Sequence, residues 1–179
     1  MKMNLNNFTL KAQESVQNAF DITTSKGQQA VEPAHILKGL FSEAESITDF
    51  LMGKMGVNTT SLIRELDSLT DTYPRVSGAE PYLSTASLDA IRKANDFAAK
   101  LKDKFVTAEH LIMGVLEISD KASEILKNKG VTVKGLKLAI EELRKGSSVD
   151  SPTSDDTFNS LNRFAINLND RARTGKLDP

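Results

Sequence analysis

Glu32-Pro33-Ala34-His35-Ile36-Leu37-Lys38-Gly39-Leu40 and, 75 positions later, Thr107-Ala108-Glu109-His110-Leu111-Ile112-Met113-Gly114-Val115 decide how this chain folds. Each holds His-x-x-x-Gly inside an apolar run at helical spacing. The match extends outward from them. Ala19, Asp21 and Val31 fall on Ala94, Asp96 and Val106 at the same offset. At an offset of 74, Gly56, Val57, Leu62 and Leu69 fall on Gly130, Val131, Leu136 and Leu143. Matched helix stops and apolar spacings mark an internal duplication. Each copy reads as four helices. Apolar positions at Ala12–Phe20, Ile36–Phe41, Phe50–Met55 and Leu62–Leu69 recur as Leu88–Ala98, Leu111–Leu116, Ile125–Leu126 and Leu136–Leu143. Pro33 suits a first helical position, Thr107 suits an N-cap, and Gly56, Gly130 and Gly146 suit helix ends. Two units that each leave an apolar face uncovered should pack together as one pseudo-twofold, eight-helix, all-α domain.

The domain spans 1–146 on this reading, with one repeat near 8–70 and the second near 83–146. Residues 147–157, Ser-Ser-Val-Asp-Ser-Pro-Thr-Ser-Asp-Asp-Thr, have three acids, no base and one large apolar side chain, which predicts a flexible linker. A helical pattern resumes at Phe158, Leu161, Phe164, Ala165 and Leu168 and stops by Gly175. One amphipathic helix with nothing to pack on is marginal in water. Residues 158–179 therefore read as a short helical tail, the truncated start of another module.

Composition narrows the function classes. Hydrophobic residues at 39% of 179 positions, about 70 side chains, suffice for one core. Lys+Arg 23 against Asp+Glu 24 leaves a net charge of -1, which argues against nucleic acid as main partner. The absence of Cys excludes disulfide scaffolds, zinc-thiolate sites, iron–sulfur clusters and cysteine nucleophiles. No apolar run nears the ~18 residues of a membrane span, and Met1–Asn7 lacks a signal-peptide core. A soluble cytoplasmic protein without a membrane partner is the expectation.

No catalytic constellation is legible. Phosphate loops of the GxxxxGK[ST] type, GxGxxG, HExxH and GxSxG are all missing from the sequence. His35 and His110 lack a second histidine at i+4, and a zinc site needs three or four ligands. A half-buried packing role at a repeated position is the simpler reading, and no metal site is expected. Gly39 and Gly114 cost a helix about 1 kcal/mol each relative to Ala, so their repetition points to close approach of another helix. Arg92, Lys93, Lys100, Lys102 and Lys104 read as a solvated helix face.

The duplicated unit, with Glu32-Pro33-Ala34-His35-Ile36-Leu37 and Ala108-Glu109-His110-Leu111-Ile112, resembles the Clp N-terminal repeat. Three further segments resemble the ClpB family of ATP-dependent protein disaggregases. They are Pro74-Arg75-Val76-Ser77-Gly78, Glu142-Leu143-Arg144-Lys145-Gly146, and Asn167–Pro179, which looks like the beginning of a first AAA+ ATPase module. The repeat pattern by itself also fits the protease-associated ClpA and ClpC families. The resemblance implies a non-catalytic domain that captures unfolded or aggregated polypeptides. It implies a full-length hexamer working with the DnaK system through a middle domain, while the fragment stays monomeric. ATP and magnesium would belong to ATPase modules beyond Pro179, with no cofactor in this fragment. The alternative is an adaptor- or degron-docking domain of a ClpA- or ClpC-like protease unfoldase.

The resemblance also implies a substrate-binding set. Thr9 matches a hydroxyl at the first helix, and Asp103 and Glu109 match two acids around the turn into the sixth. Lys93, Phe97 and His110 fall on apolar groove positions, and only Phe97 is apolar. Each has a structural reading too: Thr9 as N-cap, Glu109 as a first-turn acid, Asp103 as a turn residue. The repeat equivalents of Asp103 and Glu109 are Gln28 and Ala34, so the acid pair is peculiar to the second copy. The equivalent of Thr9, Ser84, is also a capping residue.

Overall fold

A computed structural model describes residues 4–42 and 46–158. Its helices begin where short polar side chains can accept the first free N–H groups. Thr9 caps α1 (Leu10–Ser25), Ser46 α3 (Ile47–Lys54) and Asn58 α4 (Thr59–Asp71). Ser84 caps α5 (Thr85–Lys100), Thr107 α6 (Ala108–Leu116), Asp120 α7 (Lys121–Asn128) and Thr132 α8 (Val133–Arg144). Only α2 (Pro33–Leu40) begins on Pro, whose fixed φ and missing N–H suit that position. A last helical stretch occupies 154–158.

The expected all-α duplication is present, with one addition. Two-residue strands β1 (Ala30–Val31) and β2 (Tyr82–Leu83) pair in parallel, Val31 opposite Leu83. A bridge joins Phe8 to Val106, also in parallel. Subtracting 75 turns Leu83 into Phe8 and Val106 into Val31, so the two pairings are one pairing related by the pseudo-twofold. Thr9 N–H donates to the Val106 carbonyl at 3.0 Å, and Ser84 N–H donates to the Val31 carbonyl at 3.1 Å. The residues leading into the first helix of each repeat are thus held by the other repeat. Strands this short lie below what hydrophobic alternation can signal.

The helices fit closely at the two repeated glycines. A Cβ on Gly39 would collide with the Ser15 carbonyl oxygen, and one on Gly114 with that of Ala90. Ser15 and Ala90 are themselves repeat equivalents, so α2 on α1 and α6 on α5 make the same contact. Around these crossings Ala12, Val16, Ile36, Leu37, Leu62, Leu66, Ala94, Leu111, Ile112, Met113, Leu136 and Ile140 form one continuous core.

Residues 147–158 correct the expectation of a free linker. Val149 is fully buried, and Ser154, Asp155 and Phe158 are buried as well. Lys104 N–H donates to the Val149 carbonyl at 2.9 Å, and Leu10 N–H donates to that of Pro152 at 2.8 Å. Composition reports how willingly a segment is solvated; it does not report whether the neighbouring domain offers matching donors and acceptors. The predicted tail, including Asn167–Pro179, lies outside the described residues beyond Phe158.

Candidate functional site

The ends of α1, α5, α6 and α8 meet over one patch of the second repeat. His110 is the third residue of α6, where its ring turns back on the N-cap. Thr107 N–H donates to His110 Nδ1 at 2.8 Å. Because Nδ1 accepts, the ring proton is assigned to Nε2, which points at Asp103 Oδ2, 2.9 Å away. Asp103 follows the end of α5, and its carboxylate is pinned from two more sides. Arg144, the last residue of α8, donates from Nη1 to Asp103 Oδ2 at 2.7 Å. Val149 N–H donates to Asp103 Oδ1 at 3.0 Å. The second arm of the guanidinium, Nη2, donates to Glu109 Oε1 at 2.6 Å. The Phe158 ring centroid lies 5.6 Å from Arg144 Cζ. Thr9 Oγ1 accepts Ala12 N–H and donates to Asp155 Oδ2.

All of these groups are buried, and Thr9, Glu109 and His110 are without exposure. Two carboxyl groups, Asp103 and Glu109, therefore share one guanidinium inside the protein, with the Asp155 carboxyl buried nearby, an arrangement that burial strongly opposes unless protons or hydrogen bonds compensate. Burial works against the ionised form of Asp103. The bonds from His110, the Val149 amide and Arg144 outweigh it and hold that carboxyl below its ordinary value. Burial likewise opposes the charge on Arg144, but Glu109 and Asp103 keep it firmly protonated. Thr9 and the charge of Arg144 favour the Asp155 anion, but its surroundings oppose it more strongly. Burial, then the charge of Glu109, push it up to about 7. Among the described residues, three buried side-chain polar atoms keep no hydrogen-bond partner: Glu109 Oε2, Arg144 Nε and Asp155 Oδ1.

The structure brings together four of the six residues named from the sequence: Thr9, Asp103, Glu109 and His110. Lys93 and Phe97 lie one turn apart on α5. Lys93 is half-buried and Phe97 is buried, with the Lys100 and Lys137 ammonium groups 5.5 and 5.7 Å from its ring centroid. His110 is wholly buried, as is His35, so the expectation of half-buried histidines is corrected. Each ring closes a helix start from inside, which leaves it no route to solvent. Among the described residues no group of three or more His, Asp or Glu side chains is arranged to hold a metal ion.

The model of the Clp repeat (R) N-terminal domain matches residues 7–129 of this sequence. The chain belongs to the Clp N-terminal domain family. Chaperone protein ClpB of Bacteroides thetaiotaomicron is 46% identical over 177 residues, covering 99% of this chain and 20% of that protein. The chain thus spans about a fifth of the length of the curated relatives it matches. The Hsp104 N-terminal domain from Candida albicans superposes with a TM-score of 0.69 at 21% identity, covering 83% of this chain and 99% of that one. A ClpV N-domain solved with VipB peptide gives 0.56 at 12% identity, covering 88% and 91%. Both likenesses are of fold.

For a Clp N-terminal domain, sequence reading missed Arg144, Val149 and Asp155, all beyond the family match at 129. A signal for the first was available. Two acids present only in the second copy need a cation present only there, and Arg144 stands where the first repeat has Thr70. Val149 and Asp155 gave no such signal, because the segment around them is polar.

Proposed function

We propose that this chain is the client-capture N-domain of a ClpB-type chaperone, binding unfolded or aggregated segments over the Thr9–Asp103–Glu109 patch. The observation that carries the reading is the way the patch holds chain. Asp103 Oδ1 accepts one main-chain N–H, while Lys104 and Leu10 N–H each donate to a main-chain carbonyl. A grip on backbone groups tolerates many sequences, as capture of denatured proteins requires. Leu10, 53% exposed beside Thr9, adds apolar surface at the rim. The VipB peptide bound by the ClpV N-domain is a further support, since that domain has this fold.

In this reading the full protein is a hexameric AAA+ ATPase that threads clients through its pore with the DnaK system. A weak site suits it, because six copies raise avidity without a tight single contact and release into the pore stays easy. Amide-resolved NMR titration with a permanently unfolded polypeptide tests the reading. Shifts should centre on residues 9–10 and 103–110 and shrink in Asp103→Asn/Glu109→Gln. Shifts confined to other faces overturn it, and binding restricted to folded adaptors favours the docking role of a protease unfoldase.

A further inference from the structure

We infer that residues 147–158 occupy the capture patch as an internal stand-in for client, and that clients enter by displacing this strap. The strap also defines the class of segment that competes best: a small aliphatic side chain, with a carboxyl or hydroxyl side chain six residues on. The inference rests on the capture reading of the patch.

Contacts at four residues of the strap carry it. Val149 sits fully buried, and its N–H and C=O are both taken, by Asp103 Oδ1 and by Lys104 N–H. Three residues on, the Pro152 carbonyl accepts from Leu10 N–H. Asp155 reaches Thr9, the hydroxyl at the head of α1. Phe158 then lies beside Arg144. The strap therefore touches three of the residues that the family resemblance assigns to substrate, or their immediate neighbours: Thr9, Asp103 and, through Arg144, Glu109. No other segment reaches all of them among the described residues.

The hold is also built to give way. Asp155 Oδ1 and Arg144 Nε find no hydrogen-bond partner among the described residues, so closure leaves part of the polar demand of the described site unmet. Beyond Val149 and Phe158 the strap buries little apolar surface, since its remaining residues are Ser, Asp, Pro and Thr. A competing segment with the same two anchors gains the same backbone bonds. The spacing of the anchors, Val149 to Asp155, sets which denatured stretches qualify.

The test uses the full chain with Val149→Asp, which places a charge in a dry apolar pocket and should expel the strap. Amide hydrogen exchange reads release directly: Lys104 and Leu10 N–H should lose protection while the α5–α6 amides keep theirs. A fluorescent permanently unfolded polypeptide should then bind at least roughly tenfold tighter, the factor set by the fraction of unmodified chain whose strap is open. A peptide of residues 147–158 added in trans should compete with the client on the Val149→Asp chain, and the same peptide carrying Val149→Asp should not. Equal client affinity for both chains, with release verified by exchange, overturns the inference and leaves the capture reading standing. Absence of client binding by either chain overturns the capture reading and the inference with it. If Val149→Asp melts early, Asp155→Lys serves as the second release variant with the same readouts.

Discussion

The two repeats solve one structural problem twice and differ in a single choice of charge. In each, a histidine at the third position of a helix takes the N-cap amide on Nδ1: Glu32 N–H to His35 at 2.9 Å, Thr107 N–H to His110 at 2.8 Å. In each, Nε2 faces the residue seven positions earlier. The first repeat places Gln28 there, 2.8 Å from the ring, and Gln28 passes its amide on to the Thr70 carbonyl at 2.6 Å. The second places Asp103 there and Arg144 at the position of Thr70. A neutral relay and an ionic one occupy equivalent space on the same scaffold. The scaffold therefore does not require charge at this position. Each copy also holds the chain that follows its fourth helix: Val76 N–H donates to the Gly27 carbonyl at 2.9 Å and Tyr73 packs on His35 in the first, while Val149 N–H donates to the Asp103 carboxylate in the second.

The largest expected effect tests that difference. Removing the guanidinium in Arg144→Ala strands two buried carboxyl groups and should cost about 3–5 kcal/mol in denaturant unfolding. Thr70→Ala at the equivalent place loses one hydroxyl bond, to the Asp67 carbonyl, and should cost about 1 kcal/mol. Equal losses at the two sites would mean that the ionic relay is no more committed than the neutral one.

Next in size is the contact the copies share. Gly39→Ala and Gly114→Ala both press a methyl group onto a backbone carbonyl that cannot rotate away. Each should lose on the order of 1–3 kcal/mol, and the two losses should agree within about 0.5 kcal/mol if the crossings are equivalent. A marked inequality would show that the pseudo-twofold is poorer in energy than in geometry.

The copies should respond to pH in opposite directions. His35 is held at about 4 by burial, then by Lys38 and Lys26, so the folded first repeat refuses a proton that the unfolded chain accepts. Its stability is full above about pH 6.5 and falls as the pH drops towards 4. Asp155, at about 7 when docked, behaves in reverse: the docked strap holds a proton that a released one gives up. Docking is strongest in acid and weakens as pH rises from about 4 to 7. The groups facing Asp155 include Thr9 of the α1 cap, Glu109 of α6, Arg144 of α8 and Asp156 of the strap itself, and Lys11 of α1 lines the same cavity. Exchange of Leu10 N–H measured from pH 5 to 8 checks this. Asp155→Asn should flatten the dependence, and His35→Gln should flatten the acid loss of the first repeat alone.

The smallest effect concerns a turn. Gly27 and Lys102 are repeat equivalents, and both lie in the left-handed region, at φ 68° and 60°. Lysine tolerates it at a cost of roughly 1–2 kcal/mol, against about 0.5–1 for the greater freedom glycine loses on folding. Lys102→Gly should therefore stabilise the second repeat slightly, by a few tenths to 1 kcal/mol in thermal unfolding. A loss would mean that the lysine side chain contributes there beyond its backbone.

The fold was legible because its signals are repeated. His35 with Gly39 and His110 with Gly114 announce the duplication, and seven polar N-caps mark helix starts. The strand pairings were too short to show a period. Within the patch, Thr9, Asp103, Glu109 and His110 came from resemblance and from asymmetry between copies. Arg144 was hidden because a basic residue at a helix end is ordinarily explained by the helix dipole. Val149 and Asp155 were hidden because a polar stretch docks or floats according to what faces it, and that is settled only in three dimensions.

The crossed pairings of Phe8 with Val106 and Val31 with Leu83 have a consequence for what the two halves are free to become. Identical halves exchanging these segments as separate chains would be obliged to carry the same residue at every related position. A carboxylate written into one would appear in both, and so would its strap. Joining the halves end to end lifts that obligation. One partner keeps the architecture steady with uncharged groups, and the other is released to specialise.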